Sequence, residues 1–373
     1  MAAEERVYED LADALGRLPN GFPRTAQGFE IRLLQAIFEP PDARLAALLE
    51  REAKSIGELA GLTGLAPDDV QQRLFGLAEH GLAWPSKKAG ELRFRLAPFI
   101  IGIYEAQLRR MDRDLAQLIE DYMNAGGALG IMGPRPALHR VVPAYKAIKP
   151  EWVLPYDDVR ALLDGAVAFQ VRDCICRVAM QKLDQPCRFP LRTCLAYFTR
   201  PSPATEQSIS REEAIEVLDQ AEEVGLVHTV SNVRTGSLLP EGVGYVCNCC
   251  GCCCGILRGI TRWGIADSVA HAAYRAEIDA ESCSDCGTCI QRCQVKAISY
   301  DGDEPRVDAR RCIGCGLCVS SCPVGALRLR KRATSDILTP PLDFEEWQNL
   351  RLRHRERRSA KPAGRMDSAE DVM

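Results

Sequence analysis

Two cysteine-rich stretches decide the fold of this chain: CSDCGTCIQRC at residues 283–293 and CIGCGLCVSSCP at residues 312–323. Each has four cysteines in the spacing C-x2-C-x2-C-x3-C, and the second begins 29 residues after the first, since 312 minus 283 is 29. Apolar residues recur at the same offset: Val295, Ala297 and Ile298 correspond to Val324, Ala326 and Leu327. The pattern predicts a duplicated unit in which each half carries four thiols and its own core positions.

This pattern resembles the bacterial-type two-[4Fe-4S], or dicluster, ferredoxin domain. The resemblance covers residues 278–330 of the 373 and implies a ferredoxin-like βαβ duplicate. Ile298–Tyr300 and Arg306–Asp308 fit a hairpin between the two halves. The sequence departs from the family at Gln294, where the first motif would usually have proline. Because all eight thiols remain, we expect altered loop rigidity at Gln294 and no lost cluster.

The resemblance also implies a ligand set, in which three thiolates of each run hold one cluster and the fourth crosses to the other cluster. By this rule the first cluster takes Cys283, Cys286, Cys289 and Cys322. The second cluster takes Cys312, Cys315, Cys318 and Cys293. Zinc is the alternative, because paired C-x2-C units also form tetrahedral zinc sites. Two successive four-cysteine runs favour iron-sulfur clusters.

The chain has 18 cysteines, so ten remain outside the two runs. They are Cys174, Cys176, Cys187, Cys194, Cys247, Cys249, Cys250, Cys252, Cys253 and Cys254. Neighbouring side chains diverge, so the last six cannot all face one metal. Four arginines near the first group would stabilise thiolates: Arg172, Arg177, Arg188 and Arg192. We predict one or two further iron-sulfur centres here, with zinc or direct thiol redox chemistry as alternatives.

Composition and charge limit the other function classes. The net charge of −4 gives no overall field to attract nucleic acid or an anionic membrane. The N-terminus is acidic, and no stretch reaches the roughly 18 apolar residues that cross a bilayer. We therefore expect a cytoplasmic protein without membrane insertion, where thiols stay reduced and the cysteines serve as metal ligands or redox groups.

The sequence predicts four regions. Residues 1–100 form a winged-helix-like domain, in which capping signals and glycines indicate helix, turn, helix and hairpin. Residues 101–277 form a mixed helical, cysteine-rich domain in which 155–171 is a helix, and residues 278–330 form the ferredoxin domain. Residues 331–373 are a charged, largely disordered tail. The second helix of the first domain is acidic, which makes DNA an unlikely partner.

These features predict a multidomain α+β protein that transfers electrons. The two clusters would exchange single electrons with a redox partner protein, such as an oxidoreductase of which this chain is a subunit. One alternative is an oxidoreductase enzyme with its own substrate site in the cysteine-rich domain. Another is a redox-sensing regulator that uses the winged helix. The domain arrangement is similar to a class of bacterial and archaeal dicluster proteins, a resemblance that implies no defined reaction.

Overall fold

A computed structural model describes residues 2–148, 155–302 and 304–360. Its helices are α1 (Ala2–Arg17), α2 (Phe29–Ile37), α3 (Pro40–Ala47), α4 (Ile56–Thr63), α5 (Pro67–Glu79), α6 (Tyr104–Ala106), α7 (Arg113–Tyr122), α8 (Ala128–Met132), α9 (Ile175–Lys182), α10 (Arg211–Val224), α11 (Gly255–Thr261), α12 (Thr288–Arg292), α13 (Leu317–Ser320) and α14 (Phe344–Ala360). Its strands are β1 (Lys54–Ser55), β2 (Ala83–Lys88), β3 (Glu91–Leu96), β4 (His139–Val142), β5 (Ala168–Asp173), β6 (Arg192–Phe198), β7 (Ser208–Ile209), β8 (Val227–Ser231), β9 (Val243–Cys249), β10 (Val269–Ala270), β11 (Tyr274–Ile278), β12 (Ile298–Asp301), β13 (Glu304–Val307) and β14 (Leu327–Lys331). The mixture of helices and several sheets is consistent with the α+β class.

The N-terminal region contains the helices and hairpin that the sequence predicts. Ser55 begins α4 through a capping box: its Oγ accepts from the Glu58 N–H at 3.3 Å, and the Glu58 carboxylate accepts from the Ser55 N–H at 2.6 Å. Pro67 occupies the start of α5, where its missing N–H costs nothing. Strands β2 and β3 pair antiparallel, and β1 adds to the other side of β3. The assignment to the winged-helix fold stays a prediction.

A seven-stranded sheet dominates the middle region, where we expected a mixed helical domain. Its order is β10-β4-β8-β9-β6-β5-β7, and only the β10–β4 pair is parallel. The predicted helix over residues 155–171 is wrong: two short 3-10 turns precede β5. Within β5, Phe169 and Val171 are buried and alternate with more exposed residues, the period of a strand and not of a helix.

The C-terminal repeat consists of two units with the order strand, helix, strand. The first is β11-α12-β12 and the second is β13-α13-β14. Strands β11 and β14 pair antiparallel, and β12 and β13 form the expected hairpin. Each helix follows a glycine with a left-handed backbone, Gly287 at φ 68° and Gly316 at φ 75°, a conformation that costs glycine little.

The expectation of a disordered tail is wrong for residues 344–360, which form α14. Trp347 and Arg351 lie one helical turn apart and are both fully buried, at 0% exposure. Trp347 donates its indole N–H to the carbonyl of Ala137 at 3.0 Å, and Arg351 donates to the carbonyl of Pro19 at 3.0 Å. Helix α14 is therefore packed against the rest of the chain. Residues 361–373, the last part of the predicted tail, lie outside the described residues.

Candidate metal centres

The thiols assigned to the second ferredoxin cluster surround one small cavity. Its wall contains Cys293, Cys312, Cys315 and Cys318, together with apolar side chains from the same region. Two backbone amides point at sulfurs: the Ala297 N–H lies 3.1 Å from the Cys293 Sγ, and the Ala276 N–H lies 3.4 Å from the Cys312 Sγ. Amide donors of this kind stabilise thiolates that hold an iron-sulfur cluster. The residues present therefore fit a cluster at this position.

The thiols assigned to the first cluster lie nearer the surface. Cys286 is exposed, and Cys283, Cys289 and Cys322 are half-buried. The Thr288 hydroxyl lies 3.3 Å from the Cys286 Sγ, and hydrogen bonding to Thr288 lowers the pKa of the Cys286 thiol. A lowered pKa favours the thiolate, which is the form that binds iron.

Among the ten remaining cysteines, four form a compact group that we call the tetrad. The Sγ atoms of its members all lie within 4.8 Å of one another: Cys187, Cys250, Cys252 and Cys253. Four sulfurs at the usual 2.3 Å from one tetrahedral zinc ion would be about 3.8 Å apart. Cys252 is exposed, whereas Cys250 and Cys253 are buried. The tetrad therefore matches the size of a mononuclear site that reaches the protein surface.

The other six thiols form a second group, which we call the hexad. Its members, given so that neighbours in the series interact, are Cys174, Cys176, Cys254, Cys249, Cys247 and Cys194. Each thiol interacts with the next along this series, and the Sγ atoms of Cys249 and Cys254 are 3.2 Å apart. Three separate segments of the chain thus bring six sulfurs together.

The local fold explains how neighbouring cysteines reach different groups. Cys247 and Cys249 are two residues apart on β9, so both point to the same face of the sheet. Cys250 follows the strand and points away into the tetrad, after which Gly251 lets the chain turn back. Cys254 then caps α11 and rejoins the hexad. The strand and the tight turn after it therefore place the cysteines of residues 247–254 in two different groups.

Arg177 is buried between the two groups of thiols, with 2% of its surface exposed. Its guanidinium donates to the Thr193 Oγ1 at 2.8 Å and to the Asn248 carbonyl at 2.7 Å. Within the described residues it forms no ion pair with a carboxylate, and it interacts electrostatically with thiols of both groups. A nearby anion stabilises a buried cation. Metal-bound thiolates would supply that charge.

Arg172 has a corresponding place at one end of the hexad. The Cys247 thiol, which hydrogen-bonds to Cys194, and the Arg172 guanidinium lower the pKa of the Cys194 thiol to about 5, against the effect of burial. The same pairing raises the pKa of Cys247, so this end of the hexad favours a single thiolate on Cys194. The other two arginines named from the sequence lie differently: Arg188 stacks on the Phe189 ring at 5.2 Å, and Arg192 is exposed.

A chain of hydrogen bonds that the sequence did not indicate reaches the hexad from inside the sheet. The His139 Nδ1 lies 3.0 Å from the Thr229 Oγ1, which lies 3.4 Å from the Cys249 Sγ. Burial lowers the pKa of His139 to about 3, so its imidazole is neutral. Only the pairing of β4, β8 and β9 brings these residues together, and no linear motif could have identified them.

The repeat packs directly against the loop that carries the tetrad. The Gln294 side chain accepts from the Gly251 N–H at 2.9 Å and donates to the Gly225 carbonyl at 2.8 Å. A Cβ on Gly251 would lie 1.8 Å from the Gln294 carbonyl oxygen, so only glycine fits there. The residue that departs from the ferredoxin pattern is therefore the one that joins the repeat to the cysteine-rich region.

Comparison with known proteins gives a consistent result for one part of the chain. Residues 276–329 match the family described as the 4Fe-4S dicluster domain. That match and the grouped cysteines support an iron-sulfur domain with an electron-transfer role. A search of curated proteins found no match to the chain. None of the helices among the described residues has both the length and the apolar composition needed to cross a membrane.

Proposed function

We propose that this chain is a cytoplasmic electron-transfer protein that carries single electrons between a redox partner protein and metal centres in its own middle region. The eight cysteines of the repeat hold two [4Fe-4S] clusters, with the crossed ligand sets given above. The clusters supply one-electron redox chemistry. The chain supplies thiolate ligands, amide donors and a fixed path between the centres. In each transfer the partner loses one electron and the iron-sulfur protein gains it.

The observation that carries this proposal is the contact between Gln294 and Gly251. Gln294 follows Cys293, a ligand assigned to the second cluster, and Gly251 lies between tetrad residues Cys250 and Cys252. The two segments touch through the backbone, with no intervening element. An electron on the second cluster would thus be separated from the middle-region thiols by one layer of peptide.

The exposure of the thiols supports a direction from the surface inward. Cys286 of the first set is exposed, whereas Cys312 and Cys318 of the second set are buried. The Ala144 N–H of the middle region donates to the Cys315 carbonyl at 2.8 Å, so the second set faces the sheet. The first cluster would therefore meet the partner protein, and the second would meet the middle region.

Anaerobic purification with iron and sulfide counting, followed by EPR spectroscopy of the reduced protein, tests the clusters. We expect about eight irons from the repeat alone and the signals of two interacting [4Fe-4S]⁺ clusters. A protein that stays colourless after oxygen-free reconstitution, or that holds zinc in the repeat, would contradict the proposal.

The path is tested with Gln294→Ala and the matched variant Gln291→Ala, which changes an exposed residue of α12. Stopped-flow reduction with a viologen radical should reduce the repeat equally fast in both variants. Electron arrival at the middle region should be slower in Gln294→Ala only. Equal rates of arrival in the two variants would exclude the hydrogen bond between the Gln294 side chain and the Gly251 N–H as the path.

A second candidate, an oxidoreductase with its own substrate site, is favoured by a large cleft beside the sheet. Its volume is about 1130 Å³, and its lining includes the cations Arg51, Lys87, Arg95 and Arg234. Arg95 stacks on the Trp84 ring at 5.0 Å and has no ion pair within the described ranges. Tyr245 also lines the cleft and is two residues before Cys247 on β9. A cleft of this size and charge suits an organic anion.

Intrinsic tryptophan fluorescence provides a test of this second candidate, because Trp84 lines the cleft, with inorganic pyrophosphate as the probe. We expect a saturable change in emission that Arg95→Gln and Lys87→Gln weaken. Lys88→Gln alters the same hairpin outside the lining and should leave the response unchanged. An unresponsive wild-type protein, or an equal response in all variants, would argue against an anion site in the cleft.

A further inference from the structure

We propose that the hexad holds a polynuclear iron-sulfur centre that is separate from the metal site of the tetrad. The inference deepens the proposed function, because it identifies the terminal centre of the electron path. It rests on the division of the ten middle-region thiols into two groups, which the sequence alone could not give.

The number of sulfurs argues against a single ion. One tetrahedral ion takes four thiolates. In the hexad the Sγ atoms of Cys249 and Cys254 are 3.2 Å apart, and electrostatic interactions connect the other four thiols to this pair. A single ion would leave at least two of these six thiols without a metal, whereas a centre of two or more metal ions with thiolate or sulfide bridges could use all of them.

The two groups also differ in geometry, which argues against one shared centre. The tetrad is closed on itself, with all four sulfurs within 4.8 Å. The guanidinium of Arg177 lies between the groups and interacts with Cys249 of the hexad and Cys250 of the tetrad. Cys249 is the last residue of β9 and its sulfur contacts that of Cys254 in the hexad, whereas Cys250 follows the strand and belongs to the tetrad, so these two neighbours serve different sites.

The charge of the surroundings favours an anionic cluster in the hexad. Six thiolates exceed the charge of two divalent ions, so the centre would be negative. Arg172 and Arg177 face it with guanidinium groups, and Thr229 presents its hydroxyl to the Cys249 Sγ at 3.4 Å. Iron-sulfur clusters are tuned by such donors and by nearby charge. Thiolates select soft metals, and the adjoining repeat would supply electrons that only a redox-active metal can use.

The test compares Cys176→Ala in the hexad with Cys252→Ala in the tetrad, both in the full chain purified without oxygen. Iron, zinc and acid-labile sulfide are counted, and Mössbauer spectra resolve the iron sites. We expect wild-type protein to hold iron and sulfide beyond the eight irons of the repeat. Cys176→Ala should lose that extra iron and sulfide, and Cys252→Ala should keep them.

The EPR signals of the repeat serve as an internal control for folding, and Cys194→Ser provides a second hexad variant with nearly the same volume. Extra iron that survives in both hexad variants, or a hexad that binds zinc alone, would overturn the inference. A wild-type count of eight irons would overturn it as well, while leaving the two-cluster proposal intact. A count of four or fewer would instead contradict the proposed function itself.

Discussion

The two cysteine-rich regions use similar numbers of thiols but assemble them in different ways. In the repeat, each run of four cysteines lies within 11 consecutive residues, 283–293 and 312–322. In the middle region, the ten thiols come from α9 and the residues on either side of it, from β6, and from the end of β9 and the turn that follows it. The ligands of a loop that surrounds one cluster are closely spaced in the sequence and can be recognised there. The ligands of a site built on a sheet are brought together by strand pairing, which the spacing does not show.

The two regions meet at Gly251, and the largest effect is expected from Gly251→Ala. The added Cβ would lie 1.8 Å from the Gln294 carbonyl oxygen, and both partners are backbone. Neither group can move without shifting a cysteine-bearing loop, so we expect a loss of about 4 kcal/mol or more in the free energy of unfolding. Thermal unfolding and metal content of the purified protein measure the effect.

Gly76→Ala is the control for Gly251→Ala, because a Cβ at Gly76 in α5 meets nothing within 4 Å. Alanine should stabilise that helix by up to about 1 kcal/mol. If Gly251→Ala retained wild-type stability and metal content, the repeat and the middle region would not be joined through this contact.

The comparison also shows what the sequence could predict. The spacing of Cys283 to Cys322 was sufficient for the dicluster domain, because loop ligands follow one another along the chain. The glutamine at position 294 was a visible departure from the family, but its partner Gly251 is 43 positions away in the chain. The grouping of the other ten thiols required the pairing of β6, β8 and β9, which no local pattern encodes.

The errors have physical reasons as well. The high charge of residues 344–360 predicted a solvated tail, but Trp347 and Arg351 share one face of α14 and are both buried. Arg351 satisfies backbone carbonyls of Pro19, Pro134 and Pro136 in place of water. The average charge of a segment does not show whether one face of its helix is buried, so composition alone could not predict the packing of α14.

Arg177 and Arg351 are both buried, but their surroundings differ. The guanidinium of Arg177 lies near thiols, whereas that of Arg351 donates to backbone carbonyls. Each forms several hydrogen bonds to backbone or hydroxyl oxygens. Replacing either with methionine leaves those acceptors unpaired, so we expect each variant to lose about 3 kcal/mol of stability. Only Arg177→Met also removes positive charge beside the thiols.

Metal analysis of the two variants distinguishes these roles. Arg177→Met should lose metal from the middle region or shift its reduction potential downward, since the anionic centre loses a compensating charge. Arg351→Met should keep the wild-type metal content and potential at temperatures where it remains folded. Identical metal content and potentials in the two variants would mean that Arg177 has only a structural role.

The smallest expected effect concerns Thr229, which is fully buried and whose Oγ1 lies 3.4 Å from the Cys249 Sγ and 3.0 Å from the His139 Nδ1. With the imidazole proton on Nδ1, His139 donates to the hydroxyl and the hydroxyl donates to the sulfur. A hydrogen bond to a thiolate stabilises the reduced, more negative centre. Thr229→Val preserves the shape and removes this donor, so the reduction potential of the middle-region centre should fall.

A hydrogen bond worth about 1 kcal/mol corresponds to about 40 mV for a one-electron couple, since 59 mV is a tenfold change. An EPR-monitored redox titration measures this shift, and the clusters of the repeat provide an unshifted reference in the same sample. Thr63→Val removes a hydroxyl that bonds to the Leu59 carbonyl at 2.8 Å in α4 and should change neither potential. An unchanged or raised middle-region potential in Thr229→Val would contradict the assignment of the Thr229 hydroxyl as a hydrogen-bond donor to the Cys249 sulfur.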